Sequence, residues 1–427
     1  MEVSPPAQEK EIGMDVFFTK IPGLDGRIKV VPEDFVVEEI SIFPPPGDGK
    51  HVIARVEAKG WEMNALLNRM AAKLGMPVNF IGFAGTKDKR AVTRQIMSFP
   101  CSIESVSNMK LPGVEIEVLY KSHRPVFRGG LKGNRFDVTI RDVEEDEITV
   151  ERICREIEKS GGFPNFFGIQ RFGIIRPVTH LVGKYIVLGD MKKAVMNYVA
   201  NPIKGEEQSS YKAREFLEET MDFSEALKIY PKKLLFERRM IAYLSKNEED
   251  WTGALKKLPK NLSSMFIHAY QSYLFNKILS MRLKEGIPIN RAIEGDIVIT
   301  LSKGEVQSRH GIEVTKNNLD KVNHQIEKGN CFPSGIIIGH NIRFANDIMG
   351  KIERKVLKEE SVMPEKFIIP GMPFLSSQGI RRIILSPVRK IRWKMEDKTL
   401  RLSFSLLKGC YATCLLREFM KGDVQNY

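Results

Sequence analysis

The sequence predicts an α+β fold, in which strands and helices occupy different stretches of the chain. Three observations predict it. Strand patterns outnumber helical ones as far as Gly162, and helical periodicity then dominates from about residue 178 to residue 285. Strand patterns return after Gly379. A chain of 427 residues with 42% hydrophobic residues can bury a sizeable core, and roughly two to three domains are expected.

The segment up to Gly162 supplies most of the expected strands. The stretch GRIKVVPEDFVVEEI predicts two short strands, at residues 28–31 and 35–37, broken at Pro32. Further strands are expected at residues 51–57, 94–99, 114–121 and 129–140. Apolar residues at helical spacing predict helices at residues 61–74 and 148–160, each followed by glycine.

The later chain begins with helices and ends with strands. Its clearest helix is expected at residues 265–283, with Phe266, Tyr270, Leu274 and Ile278 on one stripe. Residues 286–375 are irregular and strand-like. Strands are expected at residues 382–385, 391–394 and 399–406, followed by a helix at residues 412–420.

The charge balance favours an anionic partner. Lys and Arg number 66 against 53 Asp and Glu, which gives a net charge of +13. Nucleic acid fits this excess best. A membrane surface is disfavoured, because the sequence has no apolar run long enough to span a bilayer and no long basic amphipathic helix. The first fifteen residues are acidic without an apolar core, so we expect no signal peptide and a cytoplasmic protein.

The cysteines predict neither a disulfide framework nor a metal site. There are five, an odd number, and they are scattered. Cys410 and Cys414 are four residues apart, but no second Cys or His pair lies nearby to complete a zinc site. Two small core residues are the favoured interpretation.

Three basic segments alternate Lys and Arg with aromatic residues or glycines. They lie at residues 121–135, 170–176 and 381–394. Such alternation is typical of surfaces that hold a phosphate backbone and stack bases. Each segment alone could be a solvated face, whereas three of them with a charge of +13 favour RNA or DNA binding.

Several motifs of other nucleotide and nucleic-acid enzymes are missing from the sequence. GTKDK does not have the residue order of a P-loop, and no GxGxxG opens a helix after a strand. The HxE…CxxC pattern of zinc deaminases and the HExxH pattern of metalloproteases are also absent. A methyltransferase or a metal-dependent nuclease is therefore disfavoured.

The stretch IGFAGTKDKRAVTRQ, residues 81–95, contains the strongest candidate for a catalytic group. Its one carboxylate, Asp88, lies among Lys87, Lys89 and Arg90 on an expected loop after an apolar run. Such a carboxylate suits catalysis beside a phosphate backbone. The alternative is a solvated loop with local ion pairs, which contribute only about 0–1 kcal/mol each.

Four stretches, in order along the chain, are similar to one known family. They are GRIKVVPEDFVVEE (residues 26–39), GFAGTKDKRAVTRQ (82–95), LKGNRFDVTIR (131–141) and PNFFGIQRFG (164–173). Through them the chain resembles the TruD family of pseudouridine synthases. AYQSYLFN (269–276) and LKGCYATCLLREF (407–419) are weaker matches. Residues 178–375 match poorly outside that helix.

The resemblance implies a pseudouridine-synthase fold with a mainly antiparallel central sheet. It also implies that the catalytic domain is discontinuous. Residues 1–164 would form its first part and residues 383–427 its completion. Residues 165–382 would form the inserted α/β domain specific to this family.

The activity that the resemblance implies is isomerisation of a uridine in tRNA, expected at position 13 of the D-arm. No group is gained or lost, so no cofactor and no metal would be needed. Asp88 lies where the family has its catalytic aspartate. Lys29 lies where the family places a basic partner for that aspartate; a surface lysine on an edge strand is the alternative.

The remaining expected site residues would bind the substrate. The target base must leave its stack to reach a carboxylate. Tyr411 stands at the family position of the stacking ring, which is usually Phe. Asn134 and Phe136 match positions that support the active site, although Phe136 could be plain strand core. Lys87 and Arg90 are expected to hold RNA phosphate or to keep Asp88 ionised.

Two other functions remain open at this point. A non-catalytic RNA-binding protein on the same fold is the first, although it predicts loss of the acid, and Asp88 is present. An unrelated enzyme acting on RNA is the second; it would require a cofactor loop or a carboxylate cluster. The expected partner is tRNA, with no membrane and no small-molecule cofactor, and we expect a monomer.

Overall fold

The computed structural model describes residues 4–144, 146–302, 305–306, 311–388 and 390–426. The chain divides into two compact units. The sheet unit combines Thr19–Phe163 with the chain from Ser386 onward, and the helical unit combines the chain up to Phe18 with Pro164–Leu385. The expected domain boundaries at residues 164 and 383 lie close to these divisions.

The N-terminal segment departs from the expectation that residues 1–164 belong together. It groups with the helical unit, because two side chains of the long helix there bind its backbone. The Asn276 amide donates a hydrogen bond to the Ile12 carbonyl over 3.0 Å, and the Ser280 hydroxyl donates one to the Gly13 carbonyl over 2.7 Å. Sequence periodicity gives no sign of such contacts between distant segments.

Strands occur in both units. In chain order they are β1 (Phe35–Ser41), β2 (His51–Lys59), β3 (Gly82–Phe83), β4 (Val92–Phe99), β5 (Val114–Ser122), β6 (Leu131–Arg141), β7 (Gly162–Pro164), β8 (Ile297–Ser302), β9 (Glu305–Val306), β10 (Ile312–Glu313), β11 (Cys331–Ile337), β12 (Ile380–Ile383), β13 (Leu385–Pro387), β14 (Arg392–Glu396) and β15 (Thr399–Leu407). The strand expected at residues 382–385 is thus two strands, β12 and β13.

Helices dominate the helical unit, as the periodicity of residues 178–285 predicts. In chain order the helices of both units are α1 (Ala7–Glu11), α2 (Met63–Leu74), α3 (Ile103–Ser107), α4 (Glu147–Lys159), α5 (Thr179–Leu188), α6 (Met191–Val199), α7 (Gln208–Thr220), α8 (Phe223–Ile229), α9 (Leu235–Leu244), α10 (Trp251–Lys256), α11 (Lys260–Lys284), α12 (Leu319–Glu327), α13 (Asp347–Glu359) and α14 (Ala412–Met420). Of these, α2, α3, α4 and α14 belong to the sheet unit. None of the helices described is long and apolar enough to cross a membrane.

The sheet unit is built on one large sheet with the strand order β14-β15-β6-β1-β4-β2-β5, and β3 pairs with β4. Neighbouring strands are antiparallel except for β1 and β4, which run parallel with Val36 opposite Val92. The prediction of an α+β fold with a mainly antiparallel sheet is confirmed. Strand β1 lies between β6 and β4 and is therefore held on both sides.

Helix α2 shows how local sequence builds the cover of this sheet. The Glu62 carboxylate caps it by accepting hydrogen bonds from the Asn64 and Ala65 backbone N–H groups. Gly75 ends it at a φ of +61°, a left-handed conformation that glycine adopts without strain. Between these ends, Leu66 and other apolar residues at helical spacing are buried in a cluster with residues of β2 and β4.

The strand expected at residues 28–31 does not form. Only Arg27 pairs with the sheet, through an isolated bridge to Arg141. Lys29 then adopts a φ of +57°, which turns the chain before Pro32. The IKVV pattern has the β-branched residues of a strand, but left-handed backbone geometry at one residue overrides that preference.

The helical unit has its own core and a second sheet. Helix α11 spans 25 residues, several more than expected, and packs along α5 and α13. Its buried residues include Tyr270 and Leu274, both on the predicted apolar stripe. The second sheet has the order β10-β8-β11-β12, with β9 paired to β8.

Candidate active site on the sheet unit

The loop between β3 and β4, residues 85–90, carries Asp88. Both of its ends are tied to neighbouring backbone. The Gly129 N–H donates a hydrogen bond to the Ala84 carbonyl over 2.8 Å, and the Gly60 N–H donates one to the Ala91 carbonyl over 3.0 Å. The apolar residues that flank the loop, Ala84 and Ala91, are buried. The loop is therefore short and tethered at both ends.

Lys29 and Asp88 form an ion pair, as the family resemblance predicts. The Lys29 ammonium nitrogen lies 3.1 Å from a carboxylate oxygen of Asp88. Only 8% of the Lys29 side chain is exposed, whereas 50% of the Asp88 side chain is exposed. The ammonium also lies 4.4 Å from the centre of the Phe35 ring, within the range of a cation–π contact. The pair therefore presents its carboxylate to solvent and keeps its cation against the protein.

The backbone around Lys29 is held on both sides. Arg27 and Arg141 exchange two backbone hydrogen bonds of 2.8 and 2.9 Å. The Ile28 N–H donates to the Asn426 carbonyl over 2.9 Å. A non-glycine residue in the left-handed region costs on the order of 1 kcal/mol or more, and it persists where surrounding contacts determine it. These contacts fix the turn that directs the Lys29 side chain toward Asp88.

Lys87 does not reach the surface, which differs from its expected role as a phosphate contact. Its ammonium lies 2.6 Å from a carboxylate oxygen of Glu39, and the side chains of Lys87 and Glu39 are 7% and 0% exposed. The Ser41 hydroxyl donates a 2.7 Å hydrogen bond to the other Glu39 oxygen. A buried carboxylate needs such partners, and Lys87 is the cation that Glu39 has.

Phe136 and Asn134 lie on β6 beside β1. The Phe136 ring is buried, stacks on Phe404 at 5.4 Å between centres and meets the edge of Phe35 at 5.9 Å. Phe136 is thus a core residue that supports the ring beneath Lys29. Asn134 lies opposite Glu39 in the sheet, and its buried amide oxygen accepts no hydrogen bond from the residues described.

Tyr411 and Arg90 complete the set of residues expected from the sequence. Tyr411 is half-buried at the position just before α14 begins. Arg90 is exposed, two residues after Asp88 on the same loop. Of the residues expected from the sequence, Lys29 and Asp88 contact each other directly. Lys87 contacts Glu39 and does not face the exposed side of the loop.

Glu39 is not among the site residues expected from the sequence, although the alternation of β1 indicates that its side chain is buried. Strand β1 buries Phe35, Val37 and Glu39, which are spaced two apart. Period-two alternation therefore places Glu39, and not its neighbour Glu38, on the inward face. A carboxylate on that face needs a cation beside it, and in the structure this cation is Lys87.

A cavity of about 390 Å³ lies on the same unit. Its lining includes Glu38, Arg55, Arg94 and Arg135, and none of the site residues expected from the sequence. Arg94 is already bound there, since its guanidinium donates a 2.5 Å hydrogen bond to Glu57. The cavity lining also includes Glu39 and Ser41, so the cavity borders the Lys87–Glu39 pair that holds the Asp88 loop.

Two arginines of the predicted basic segments lie inside the helical unit. The Arg176 guanidinium donates hydrogen bonds to carbonyls at the end of α6, including one of 3.0 Å to Tyr198, and burial lowers its pKa to about 10. Arg381 is buried and lies 3.0 Å from Glu353. At these two positions the prediction of RNA-binding surface is wrong. Arg176 binds backbone carbonyls and Arg381 binds the Glu353 carboxylate, so neither guanidinium faces outward. Arg389, in the third segment, lies outside the described residues.

No group of three or more His, Cys, Asp or Glu side chains within the described ranges is arranged to hold a metal ion.

Comparison with known proteins identifies the family. The family model described as tRNA pseudouridine synthase D (TruD) matches residues 11–419. A relative from Methanosarcina acetivorans is 42% identical over 436 residues, covering 99% of this chain and 98% of its own length. One from Methanococcoides burtonii is 40% identical over 430 residues, covering 98% of each. Both are named probable tRNA pseudouridine synthase D.

A solved structure agrees with these matches. The crystal structure described as that of the "Putative tRNA pseudouridine synthase D (TruD)" from Methanosarcina mazei has a TM-score of 0.89 and 40% identity, and the match covers 100% of both chains. Fold and sequence together define the class: the chain is a pseudouridine synthase, an isomerase. Within that class it belongs to the TruD family.

Proposed function

We propose that this chain converts one uridine of tRNA to pseudouridine and that Asp88 is the catalytic carboxylate. The single observation that carries the proposal is the Lys29–Asp88 pair, with its half-exposed carboxylate 3.1 Å from a buried ammonium. The names of the relatives supply the tRNA substrate. Uridine-13 of the D-arm is the target expected from the family resemblance.

The reaction needs one carboxylate and no added group. The C1′–N1 glycosidic bond breaks, the uracil turns, and C5 becomes joined to C1′. The hydrogen on C5 is lost to a base while N1 gains a proton, so substrate and product are isomers. An ionised Asp88 suits this reaction either as a nucleophile toward the sugar or base, or as a base toward the ribose. The Lys29 ammonium is the counter-charge for that carboxylate.

The target base has to leave its stack to meet Asp88. Flipping costs a few kcal/mol, which stacking on a protein ring and hydrogen bonds to the base offset. We assign the stacking ring to Tyr411. The buried amide oxygen of Asn134 is an acceptor that no described protein group uses. Phe136 acts indirectly, through its contact with the Phe35 ring beneath Lys29.

The isosteric variant Asp88→Asn tests the proposal. With tRNA labelled with tritium at C5 of uridine, isomerisation releases the label to water, and we expect the variant to slow release by about 10³-fold or more. tRNA affinity should change little, because one exposed side chain is altered. The matched control is Asp48→Asn, which removes an exposed carboxylate of the same unit and should leave the rate unchanged.

Two outcomes would overturn the proposal. Release of tritium by Asp88→Asn at the normal rate would remove Asp88 from the mechanism. If the wild-type protein bound tRNA and formed no pseudouridine, a non-catalytic RNA-binding role on the same fold would replace the proposed activity.

A further inference from the structure

We propose that Glu39 is a positioning residue for Asp88 and that it acts through Lys87. The inference rests on the proposed function, because it concerns the placement of the carboxylate that would perform the reaction. The Lys87–Glu39 ion pair anchors the middle of the loop, so that the next residue, Asp88, faces Lys29.

The first observation is the burial pattern of the loop at residues 85–90, all of which the structure describes. Thr86, Asp88, Lys89 and Arg90 are exposed. Lys87 alone among its side chains is turned inward, with 7% exposure. The backbone hydrogen bonds at Ala84 and Ala91 hold the two ends of this loop. Besides the Lys29–Asp88 pair itself, the contact of Lys87 with Glu39 therefore holds the middle of the loop.

The second observation is where Glu39 is placed. It belongs to β1, which is paired with β6 on one side and with β4 on the other. Its two carboxylate oxygens are bound, one by the Lys87 ammonium and one by the Ser41 hydroxyl. Glu39 thus connects the loop to an inner strand, whose position is constrained by both neighbours.

Stability alone gives a poor account of this pair. Burying two charges is expensive, and apolar side chains of similar volume often stabilise a fold as well or better. Geometry gives a better account, since a displacement of about 1 Å in a reacting group can slow catalysis by about 100-fold. Lys87 and Asp88 are adjacent, so a backbone shift that follows loss of the Lys87 contact would also displace the Asp88 carboxylate.

Glu39→Gln is the first test, because it removes the charge and nearly keeps the shape. We expect the single-turnover rate constant to fall by at least tenfold, while tRNA affinity stays within about twofold at a temperature where the variant is fully folded. The matched control is Glu353→Gln, which breaks a similarly buried pair with Arg381 in the helical unit. It should lower Tm comparably and leave the rate constant unchanged.

The double variant Glu39→Gln/Lys87→Met separates positioning from simple destabilisation. It leaves no orphaned buried charge, so its Tm should recover toward that of the wild type and it keeps the test open even if Glu39→Gln does not fold. Its rate constant should remain at least tenfold low, because the anchor is absent.

Three results would overturn the inference. Folded Glu39→Gln could react at the wild-type rate, or the double variant could regain that rate together with its stability. If the wild-type protein itself formed no pseudouridine, the proposed function would fail, and the positioning role that rests on it would fail too.

Discussion

The sheet unit contains two lysine–carboxylate pairs that meet at one short loop, and they differ in which partner water reaches. The lysines are almost equally buried, with 8% exposure for Lys29 and 7% for Lys87. Their carboxylates are not, since Asp88 is 50% exposed and Glu39 is 0% exposed. One pair therefore offers an anion to a substrate, and the other is closed to it.

This difference should separate catalysis from stability. Water reaches the half-exposed Asp88 carboxylate, so the Lys29–Asp88 pair should contribute less to stability than a fully buried pair, although its Lys29 ammonium is buried. Breaking a fully buried pair costs about 3–5 kcal/mol, because the remaining charge has no partner and no water. The same two functional groups thus serve different purposes, and burial of the carboxylate decides which.

The largest expected effect is on folding, from Lys87→Met. The variant leaves the buried Glu39 carboxylate with no cation among its described partners, and the Ser41 hydroxyl remains as a hydrogen-bond donor, so we expect about 3–5 kcal/mol less stability toward denaturant. Asp88→Asn should cost less, about 1 kcal/mol, because the amide keeps an acceptor oxygen beside the Lys29 ammonium and this side of the pair is open to water. Equal losses of unfolding free energy for the two variants would show that the two pairs do not differ as described.

A smaller effect is expected from Lys29→Met, and it should fall on catalysis. Loss of the ammonium beside Asp88 should slow the single-turnover rate by about 10- to 100-fold, which corresponds to about 1.4–2.7 kcal/mol. tRNA binding should weaken by about threefold or less. If rate and affinity fell by the same factor, Lys29 would serve mainly to bind RNA phosphate, and its contact with Asp88 would have no separate role in catalysis.

The smallest effect is expected from Arg90→Gln, on the same loop but outside both pairs. Stability should be unchanged, because Arg90 is exposed. Removal of one phosphate contact should reduce the salt dependence of tRNA binding, d log K/d log[salt], by about one unit. Titrations at several salt concentrations measure this slope, and an unchanged slope would take Arg90 out of the RNA interface.

Much of the fold could be predicted from the sequence, because periodicity depends on local pattern. Helix α14 lies at the expected residues 412–420, and most strands of the large sheet lie within three residues of the expected bounds. The turn at Lys29 could not be predicted. Left-handed geometry at a lysine is imposed by backbone contacts with Arg141 and Asn426, which are distant in sequence.

The candidate site could be predicted only in part, because a motif identifies residues but does not show which way their side chains point. Asp88 and Lys29 were found through their motifs, and the structure brings them together. The inward direction of Lys87 could not be predicted, because a lysine beside an aspartate looks the same in sequence whether it points outward or inward. Arg176 and Arg381 show the same ambiguity, since positive charge in a sequence does not reveal whether a buried acceptor awaits it.

The parallel pairing of β1 with β4 determines which changes of chain length the site can tolerate. Parallel neighbours begin at the same edge of a sheet, so the residues that precede them emerge side by side. Lys29 precedes β1 and Asp88 precedes β4, and the two meet across 59 positions of sequence. Lengthening the connections between strands β1, β2 and β3 would leave that edge intact. The site is therefore specified by the connectivity of the sheet, and the intervening chain is free to diverge in length around it.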